Sequence, residues 1–387
     1  LVCLLVFNML ILVSDKTDDL QVTYAYIEML NTAEGVKSDS KLSTEAATIA
    51  WQEYFQKYEI NGSDRSDKTA AAKQAREKLM QQAKYIDNYK GIIEDKRQTA
   101  ILYATAGTYK KNSFEYNNLL KTQYDLSQII DADVQLSNGL WLEKLYKNNY
   151  IHLLTLITCV YTVYMFFSER KNGLYHIVHT GQRGRGVLFV KRSIILLIQA
   201  VVTNVVLYTE SAFMLLNRYD GVKDLNVAAV SDEYFILTSG KLSRIQFLGL
   251  IILLSILANV VLSLVLWAIL LCFGNVNIGL FFYCCICVAD VVIYKVISAK
   301  SILQIFKYLN VYYLFFPNKA AEYFNWGCFN IAVSLLTTTI IVSVFIGILA
   351  LFASAYISIR KYFTGKMNIV ENAIELILTY IMRLMVK

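Results

Sequence analysis

Proline is almost absent from this chain, and charged residues are scarce. Among its 387 residues there is a single proline, Pro317, and only 17% are charged. Soluble domains carry about a quarter charged residues, and proline is the residue that most often breaks a helix. The composition therefore disfavours an ordinary soluble domain. It favours long uninterrupted helices, with 20 Phe and 27 Tyr available for aromatic belts at a membrane surface.

A phosphate-binding loop is also missing from the sequence. Such a loop needs glycine, four residues and then Gly-Lys-Ser/Thr, because backbone amides and the lysine together hold the phosphates. The glycine-rich run from Gly181 to Gly186 has no such lysine and does not follow a predicted strand. We therefore expect no catalytic residue, no ATPase site and no cofactor on this chain.

The cysteines and the charges exclude two further classes of protein. None of the seven cysteines lies between residues 14 and 149, so no disulfide framework holds that segment together. Cys284, Cys285 and Cys287 have no histidine or further cysteine at ligand spacing, so we predict no metal site. The net charge of +7 belongs to the apolar remainder of the chain, which argues against a nucleic-acid partner.

Long apolar runs indicate an integral membrane protein with about six transmembrane helices. Residues 1–13 are apolar but shorter than the roughly 20 that a span needs, so we interpret them as the outer end of a first span whose beginning is missing. Five longer runs are predicted to cross the bilayer, at residues 150–167, 193–215, 245–273, 278–297 and 331–357. The fold class predicted is an all-α membrane protein with a helical extracytoplasmic domain between spans 1 and 2.

Residues 14–149 form that predicted domain. Trp51, Tyr54, Phe55 and Tyr58 fall at helical spacing, and Asn61-Gly62 marks a turn. Asp67 begins a second, long helix, and a third is predicted before a turn at Asn138-Gly139. The apolar positions of the long helix repeat every seven residues and are flanked by Ala75 and Tyr89; they are Ala72, Leu79, Ile86, Ile93 and Ala100. The apolar positions of the third are Leu119, Leu126, Ile130 and Val134.

The distribution of basic residues in short loops predicts the orientation. The loop 168–192 contains six basic residues against one acid, and three more follow the last span, at Arg360, Lys361 and Lys366. Because short cytosolic loops are enriched in Lys and Arg, both segments are predicted to be cytosolic. Residues 14–149 then lie outside the cell, and the segment 361–387 is predicted to be a cytosolic amphipathic tail.

The loop 168–192 reads SERKNGLYHIVHTGQRGRGVLFVKR, and from Leu174 it makes a short amphipathic turn. From the residues alone it is either a basic anchor or a compact helix offered to a cytosolic partner. Its pattern resembles the coupling region of the permeases of ABC-2 type transporters. The positions that carry the resemblance are Glu169, Gly173, Leu174, His176, His179, Arg183, Arg185 and Lys191. Residues 241–251 and the aromatic stretch 301–326 also resemble that family, so the resemblance covers roughly residues 150–360.

The resemblance implies the permease subunit of an ATP-driven exporter. Such a permease works with two copies of a separate cytosolic ATP-binding subunit and with a second permease, identical or different. The coupling helix around Glu169 and His176 would receive the movement of the ATPase. The cargo expected is amphipathic, such as a peptide, an antibiotic or a lipid. The domain of over a hundred residues after span 1 is a departure from the commonest members, and its ligand is not implied.

Three polar residues inside the predicted spans are candidates for a substrate path or a subunit contact. Asp290 lies near the middle of the fifth span, where a charge usually faces a cavity or a partner. Asn204 and Asn259 are predicted to form hydrogen bonds between helices. For each of the three, a purely structural role is the competing interpretation.

Three other functions remain open. The chain is compatible with a membrane sensor or immunity protein whose outer domain binds a ligand. A channel or secondary carrier is disfavoured, because internal repeats and broken helices are not recognisable. A four-span permease with a large outer domain shares the N-terminal layout but disagrees with the predicted number of spans.

Overall fold

The computed structural model describes residues 2–14, 20–37, 42–59, 66–168, 182–237, 241–273, 275–297, 307–308, 311–328 and 330–360. Helices dominate it, and one short antiparallel hairpin of strands is present. The elements, in chain order, are α1 (Val2–Ser14), α2 (Leu20–Lys37), α3 (Ser43–Glu59), α4 (Ser66–Thr105), α5 (Phe114–Ile129), α6 (Leu140–Lys147), α7 (Tyr150–Met165), α8 (Gln182–Tyr219), α9 (Arg244–Cys272), α10 (Val276–Val296), α11 (Tyr312–Phe315), α12 (Pro317–Ala320), β1 (Asn325–Cys328), β2 (Ile331–Ser334) and α13 (Leu335–Arg360).

Four of these helices are long and apolar enough to cross a membrane. They are α8, α9, α10 and α13, whose apolar segments have 21 to 34 residues. The two other predicted spans are apolar helices of lesser length, 13 residues in α1 and 16 in α7. At 1.5 Å per residue, α7 is about 24 Å long, somewhat less than the hydrocarbon thickness of a bilayer. The chain is thus mostly helical, with four helices that could span a membrane, and the count of six spans stays a prediction.

The helix boundaries agree with the predicted spans except at two places. Helix α8 begins at Gln182, eleven residues before the predicted span, so the basic residues of its first turns are helical. The last predicted span was wrong at its start, because residues 331–334 form β2 instead of helix. Strand β2 pairs with β1 through four registered residues, and the positive φ of Asn330 closes the turn between them.

The described residues form two compact units, which are considered separately. The first contains Leu1–Asn149, Leu207–Ile252 and Asn318–Leu336, and the second contains Tyr150–Val206, Leu253–Pro317 and Thr337–Lys387. The N-terminal segment of the first unit ends at Asn149. The first unit nevertheless includes two later segments of chain that the sequence pattern assigned to the membrane domain.

In the first unit, α2, α3 and α4 pack against one another and α5 packs on α4. The seven-residue stripe of α4 is its buried face, as predicted, together with Ala75 and Tyr89. Helix α5 ends at Ile129, so Val134 lies beyond the helix predicted for it. The short helix α6, which the sequence did not indicate, contributes the fully buried Trp141, Leu142 and Leu145.

In the second unit, the core lies between α7, α8, α9, α10 and α13. Its largest buried side chain is Trp267 of α9, surrounded by buried residues of the other helices, including Cys159, Leu196, Tyr283 and Ala350. A smaller cluster joins Leu156 of α7, Ala258 of α9 and Leu314 of α11. These clusters of buried apolar side chains are the packing contacts between the helices of the second unit.

Candidate functional site

A file of polar side chains runs along the most apolar helix of the second unit. Ser255, Asn259, Ser263 and Trp267 follow one another at intervals of four residues on α9, and all are at most 1% exposed. Residues four apart lie on one face of a helix, so the file extends about 18 Å along α9. Within the described part of the chain, two of its atoms have no hydrogen-bond partner, Asn259 Oδ1 and Trp267 Nε1. Buried polar groups in an apolar helix are costly unless they are bonded or have a function.

The N-terminal half of this file belongs to a buried hydrogen-bonded network, here called the His152 network. It consists of His152 and Thr155 of α7, Asn204 of α8, and Ser255 and Asn259 of α9, none of which is exposed. Ser255 Oγ lies 2.7 Å from His152 Nδ1 and 2.6 Å from Asn204 Oδ1. Asn259 donates from Nδ2 to Thr155 Oγ1 at 2.6 Å and to Asn204 Oδ1 at 3.3 Å. The network therefore joins three helices, and Asn204 and Asn259 form the interhelical bonds that the sequence predicted.

The short helix α11 is held at both of its ends by ionisable side chains. At its C-terminal end, His152 Nε2 lies 2.8 Å from the carbonyl oxygen of Leu314. At its N-terminal end, the half-buried Asp290 of α10 accepts the backbone N–H of Val311 at 3.1 Å. An acid at the start of a helix and a donor at its end both match the helix dipole. Asp290, predicted as a candidate for a substrate path, thus contacts the backbone beside the His152 network.

A cluster of aromatic rings and one cation lies near the described residues that flank positions 169–181 in the chain. The ring of Trp267 is 5.5 Å from that of Phe166, which follows α7, and stacks at 5.0 Å on Phe189 of α8. The Arg192 guanidinium lies over the Phe166 ring at 5.5 Å. Cation–π and stacking contacts of this kind fix the relative positions of helix ends. The end of α7, the start of α8 and the end of α9 therefore meet at one level of the second unit.

Most residues proposed to contact an ATPase lie outside the described part of the chain. These are Glu169, Gly173, Leu174, His176 and His179, and the amphipathic tail after residue 360 is also outside it. Of the other predicted coupling residues, Arg183 and Arg185 lie in the first turns of α8, and Lys191 is exposed on the same helix. The helix that follows the loop also carries Asn204 of the His152 network.

The first unit contains a second buried polar network, centred on Arg244 at the start of α9. The Arg244 side chain is fully buried and forms a two-pronged ion pair with Asp232, through contacts of 3.2 and 3.1 Å. Its remaining donors reach Ser137 Oγ at 2.9 Å and the backbone oxygen of Asp224 at 3.3 Å. Burial raises the pKa of Asp232 to about 6, although Arg244 acts in the opposite direction. Residue 139 must be glycine here, because an added Cβ would overlap the Asp232 carboxylate.

An open polar cavity of about 540 Å³ lies in the same unit. Its walls carry charges of both signs, from Asp131 and Asp133 and from Lys223 and Lys241. Asn226 and Gln246 add amide groups. A volume within the 300–1,000 Å³ range of small-ligand sites, with polar walls, suits a zwitterionic or polar ligand better than an apolar one.

Sequence reasoning missed His152, Ser255 and Ser263. A signal for them was present: Ser255, Asn259 and Ser263 interrupt an apolar run at intervals of four, and His152 lies at the start of an apolar helix. Arg244 was also missed, because a basic residue at the end of a predicted span is normally read as an exposed anchor. In the described part of the chain, no group of three or more His, Cys, Asp or Glu side chains is arranged to hold a metal ion.

Comparison with known proteins assigns this chain to no family, so its description rests on its fold and its buried networks. No family model, no curated protein sequence and no solved structure matches it.

Proposed function

We propose that this chain is the membrane-embedded permease subunit of an ATP-driven exporter. The observation that carries the proposal is the basic loop 168–192 with its resemblance to the coupling region of ABC-2 permeases. The printed sequence has no phosphate-binding loop, so the energy would come from a separate ATPase bound at Glu169 and the following amphipathic turn.

The arrangement around the loop suits the transmission of movement. The loop continues into α8, a helix of 38 residues that also carries Asn204. The Arg192–Phe166 and Phe189–Trp267 contacts tie the base of the loop to α7 and α9. A displacement of the loop would therefore act on α8 as a rigid element and reach the His152 network.

The orientation and the cargo follow from charge. Short basic loops are retained in the cytosol, so the loop 168–192 would face the ATPase and residues 14–149 would face the outside. The apolar helices contain few charges, which suits an amphipathic cargo better than a strongly ionic one. A second permease, as the resemblance implies, would complete the path, and the exposed apolar residues of α10 and α13 offer surface for lipid or for that partner.

The test is purification of the tagged full-length chain from its native host in mild detergent, with mass spectrometry of the proteins bound to it. We expect an ATPase with a phosphate-binding loop in about equal amount. Glu169→Ala is expected to release it, because the acid would be the contact with the ATPase. Glu53→Ala, an acid on the exposed face of α3, is the matched control and is expected to retain it. Absence of an ATPase under every detergent condition would refute the exporter.

A sensor or immunity protein is the second candidate, and the polar cavity of the first unit favours it. In that case ligand binding outside, rather than cargo movement, would be the primary event. The chain reconstituted with its partners in liposomes separates the two functions. ATP-dependent accumulation of a labelled amphipathic peptide supports the exporter. Saturable ligand binding that is lost in Lys241→Ala, without any accumulation, supports the sensor.

A further inference from the structure

The polar cavity of the first unit contains separated charges of opposite sign. Asp131 and Asp133 come from the segment that follows α5, Lys223 comes from the loop after α8, and Lys241 comes from the turn before α9. All four residues are exposed. Between these four described residues, no ion pair joins an acid to a lysine. The cavity is therefore lined by two acids and two bases that have not neutralised one another.

The three segments that line the cavity are held together by the Arg244 network. Arg244, in the third segment, donates to Ser137 Oγ beside the first segment at 2.9 Å and to the backbone oxygen of Asp224 in the second at 3.3 Å. Its own backbone N–H donates to the Val227 oxygen at 2.9 Å, and the Asn138 N–H donates to the Asp224 carboxylate at 2.7 Å. A frame fixed by buried bonds has little freedom left to lose when a ligand binds. The cavity is thus preorganised.

The lysine next to α9 is the stronger anchor for an anion. Lys241 lies three residues before α9 begins, and the N-terminal end of a helix carries a partial positive charge. In the part of the chain that the structure describes, Lys241 forms no ion pair. Lys223 is a weaker anchor, because its charge already acts on the carboxylates of Glu34 and Asp224. A carboxylate group of a ligand is therefore expected at Lys241.

The acidic side of the cavity is suited to an ammonium group. Asp133 accepts a hydrogen bond from Gln135 Nε2 at 2.6 Å, which holds its carboxylate through Oδ2. Asp131 lies two residues earlier and lines the same cavity. An ammonium group has three hydrogens to donate, so it has enough donors for both carboxylates.

We infer that the polar cavity binds a short peptide by its two charged ends, with the carboxylate at Lys241 and the ammonium at Asp131 and Asp133. Capture of free peptide termini is a recurrent mode of recognition. In a free amino acid the two charged groups share one carbon atom, so they suit the separate segments of a cavity of about 540 Å³ less well than the ends of a peptide do. Such a site rests on the ligand-binding function proposed second above, and it gives that function a ligand class.

Ligands with charge of one sign fit this cavity less well. A phosphate would be attracted by the lysines and repelled by Asp131 and Asp133, and a polyamine would meet the reverse. Like-charge contacts of this kind discriminate against the wrong ligand. An ethanolamine phosphate headgroup of a lipid carries both signs, so it is the competitor that the test includes.

The test measures binding of trialanine to the purified full-length chain in a non-ionic maltoside detergent. Saturation-transfer nuclear magnetic resonance follows four forms of the peptide, which are free, N-acetylated, C-amidated and blocked at both ends. We expect the free form to bind saturably, and each single block to weaken the Kd by about tenfold, because each removes one charged hydrogen-bonding group. Equal affinity of all four forms, or no saturable binding of the free form, would overturn the proposal. Binding of glycerophosphoethanolamine without binding of trialanine would overturn it in favour of a lipid headgroup.

Two variants assign the two ends of the peptide. Lys241→Gln is expected to abolish the preference for free over amidated trialanine and to keep the preference over the acetylated form. Asp131→Asn/Asp133→Asn is expected to do the reverse. A general loss of folding would not remove one preference and keep the other. Lys90→Gln, on an exposed position of α4 outside the cavity, is the control. Both preferences retained in both variants would refute this site.

Peptide binding and coupling to an ATPase fail separately. Binding is measured on the chain alone, so the absence of an ATPase in the pull-down leaves the peptide site unaffected. Absence of peptide binding leaves the proposed contact at Glu169 unaffected.

Discussion

Arg244 shows what a single residue contributes to the first unit. It is fully buried, and its guanidinium connects the start of α9 with the loops that contain Ser137, Asp224 and Asp232. Arginine is suited to this position because its planar fork can pair with a carboxylate at two points and still donate elsewhere. A lysine would reach fewer of these acceptors.

Removal of the Arg244 charge is expected to destabilise the first unit strongly. Arg244→Met leaves Asp232 buried without its partner, a change that typically costs about 3–5 kcal/mol. The double variant Arg244→Met/Asp232→Leu is expected to recover much of this loss, because no uncompensated charge remains. Thermal unfolding of the full chain in detergent, followed by fluorescence, measures both. A fully stable Arg244→Met protein would contradict the expectation; Arg97→Ala, in the half-exposed pair with Glu94, is the control.

Glu34 is expected to make the stability of the first unit depend on pH. Burial, with the nearby Asp224 charge, raises the pKa of Glu34 from 4.5 to about 7. Because the folded-state pKa is the higher one, its contribution to stability is complete below about pH 4.5 and is lost as the pH rises through 7. Glu34→Gln should flatten the decline of the unfolding temperature over this interval. An unchanged pH profile in the variant would exclude Glu34 as its source.

Helix α4 is the element of the first unit against which α2, α3 and α5 all pack. Its 40 residues extend about 60 Å, and one face is buried against α2, α3 and α5. The opposite face is exposed, as at Leu102, which is 65% exposed. Leucine therefore occurs on both faces of this helix, buried at Leu79 and exposed at Leu102.

Truncation of leucine on the two faces of α4 is expected to give unequal losses. Leu79 is fully buried, so Leu79→Ala should cost about 2–5 kcal/mol through lost transfer energy and a residual cavity. Leu102→Ala, the same change on the exposed face, should have a small effect. The unfolding temperatures of the two variants provide the comparison, and equal losses would contradict the described packing.

Elements defined by a local repeat were predictable, and elements fixed by distant contacts were not. The stripe of α4 and the apolar runs of α9 and α10 follow from the sequence, because helical periodicity is a local property. The hairpin is different: Gly327 packs against the Phe114 ring, and the Asn330 carbonyl accepts from Asn117, both more than two hundred residues away. An apolar run such as 331–334 carries no sign of these contacts, so it was assigned to a span.

At the scale of the whole molecule, the two units are built from interleaved segments of chain. The first unit needs residues 207–252 and 318–336 as well as the N-terminal 149. Composition indicates where polar sequence ends, but it does not reveal that a loop after α8 completes the core of a domain formed much earlier. The candidate site was only partly predictable, because a sequence pattern shows single polar residues but not their distant partners. Asn204 and Asn259 are conspicuous singly, whereas His152 has meaning only beside Ser255 and Leu314.

The orientation across the membrane is expected to place residues 14–149 outside the cell. An epitope inserted between Asn61 and Gly62 should bind antibody on intact cells, because the predicted turn lies in the outer domain. An epitope inserted between Thr180 and Gly181, within the basic loop, should bind only after the cells are permeabilised. The reverse pattern would invert the topology and remove the basis for an ATPase at that loop.

The position of Trp267 gives the molecule a built-in optical reporter. The indole emission is sensitive to nearby cations and to local packing, and this ring stacks on Phe189 beside the Arg192–Phe166 pair, at the base of the basic loop. The chain has only four tryptophans, and the other three, Trp51, Trp141 and Trp326, belong to the first unit. A chain that retains Trp267 alone would therefore convert any movement of the loop into a change in colour or intensity, without an added dye.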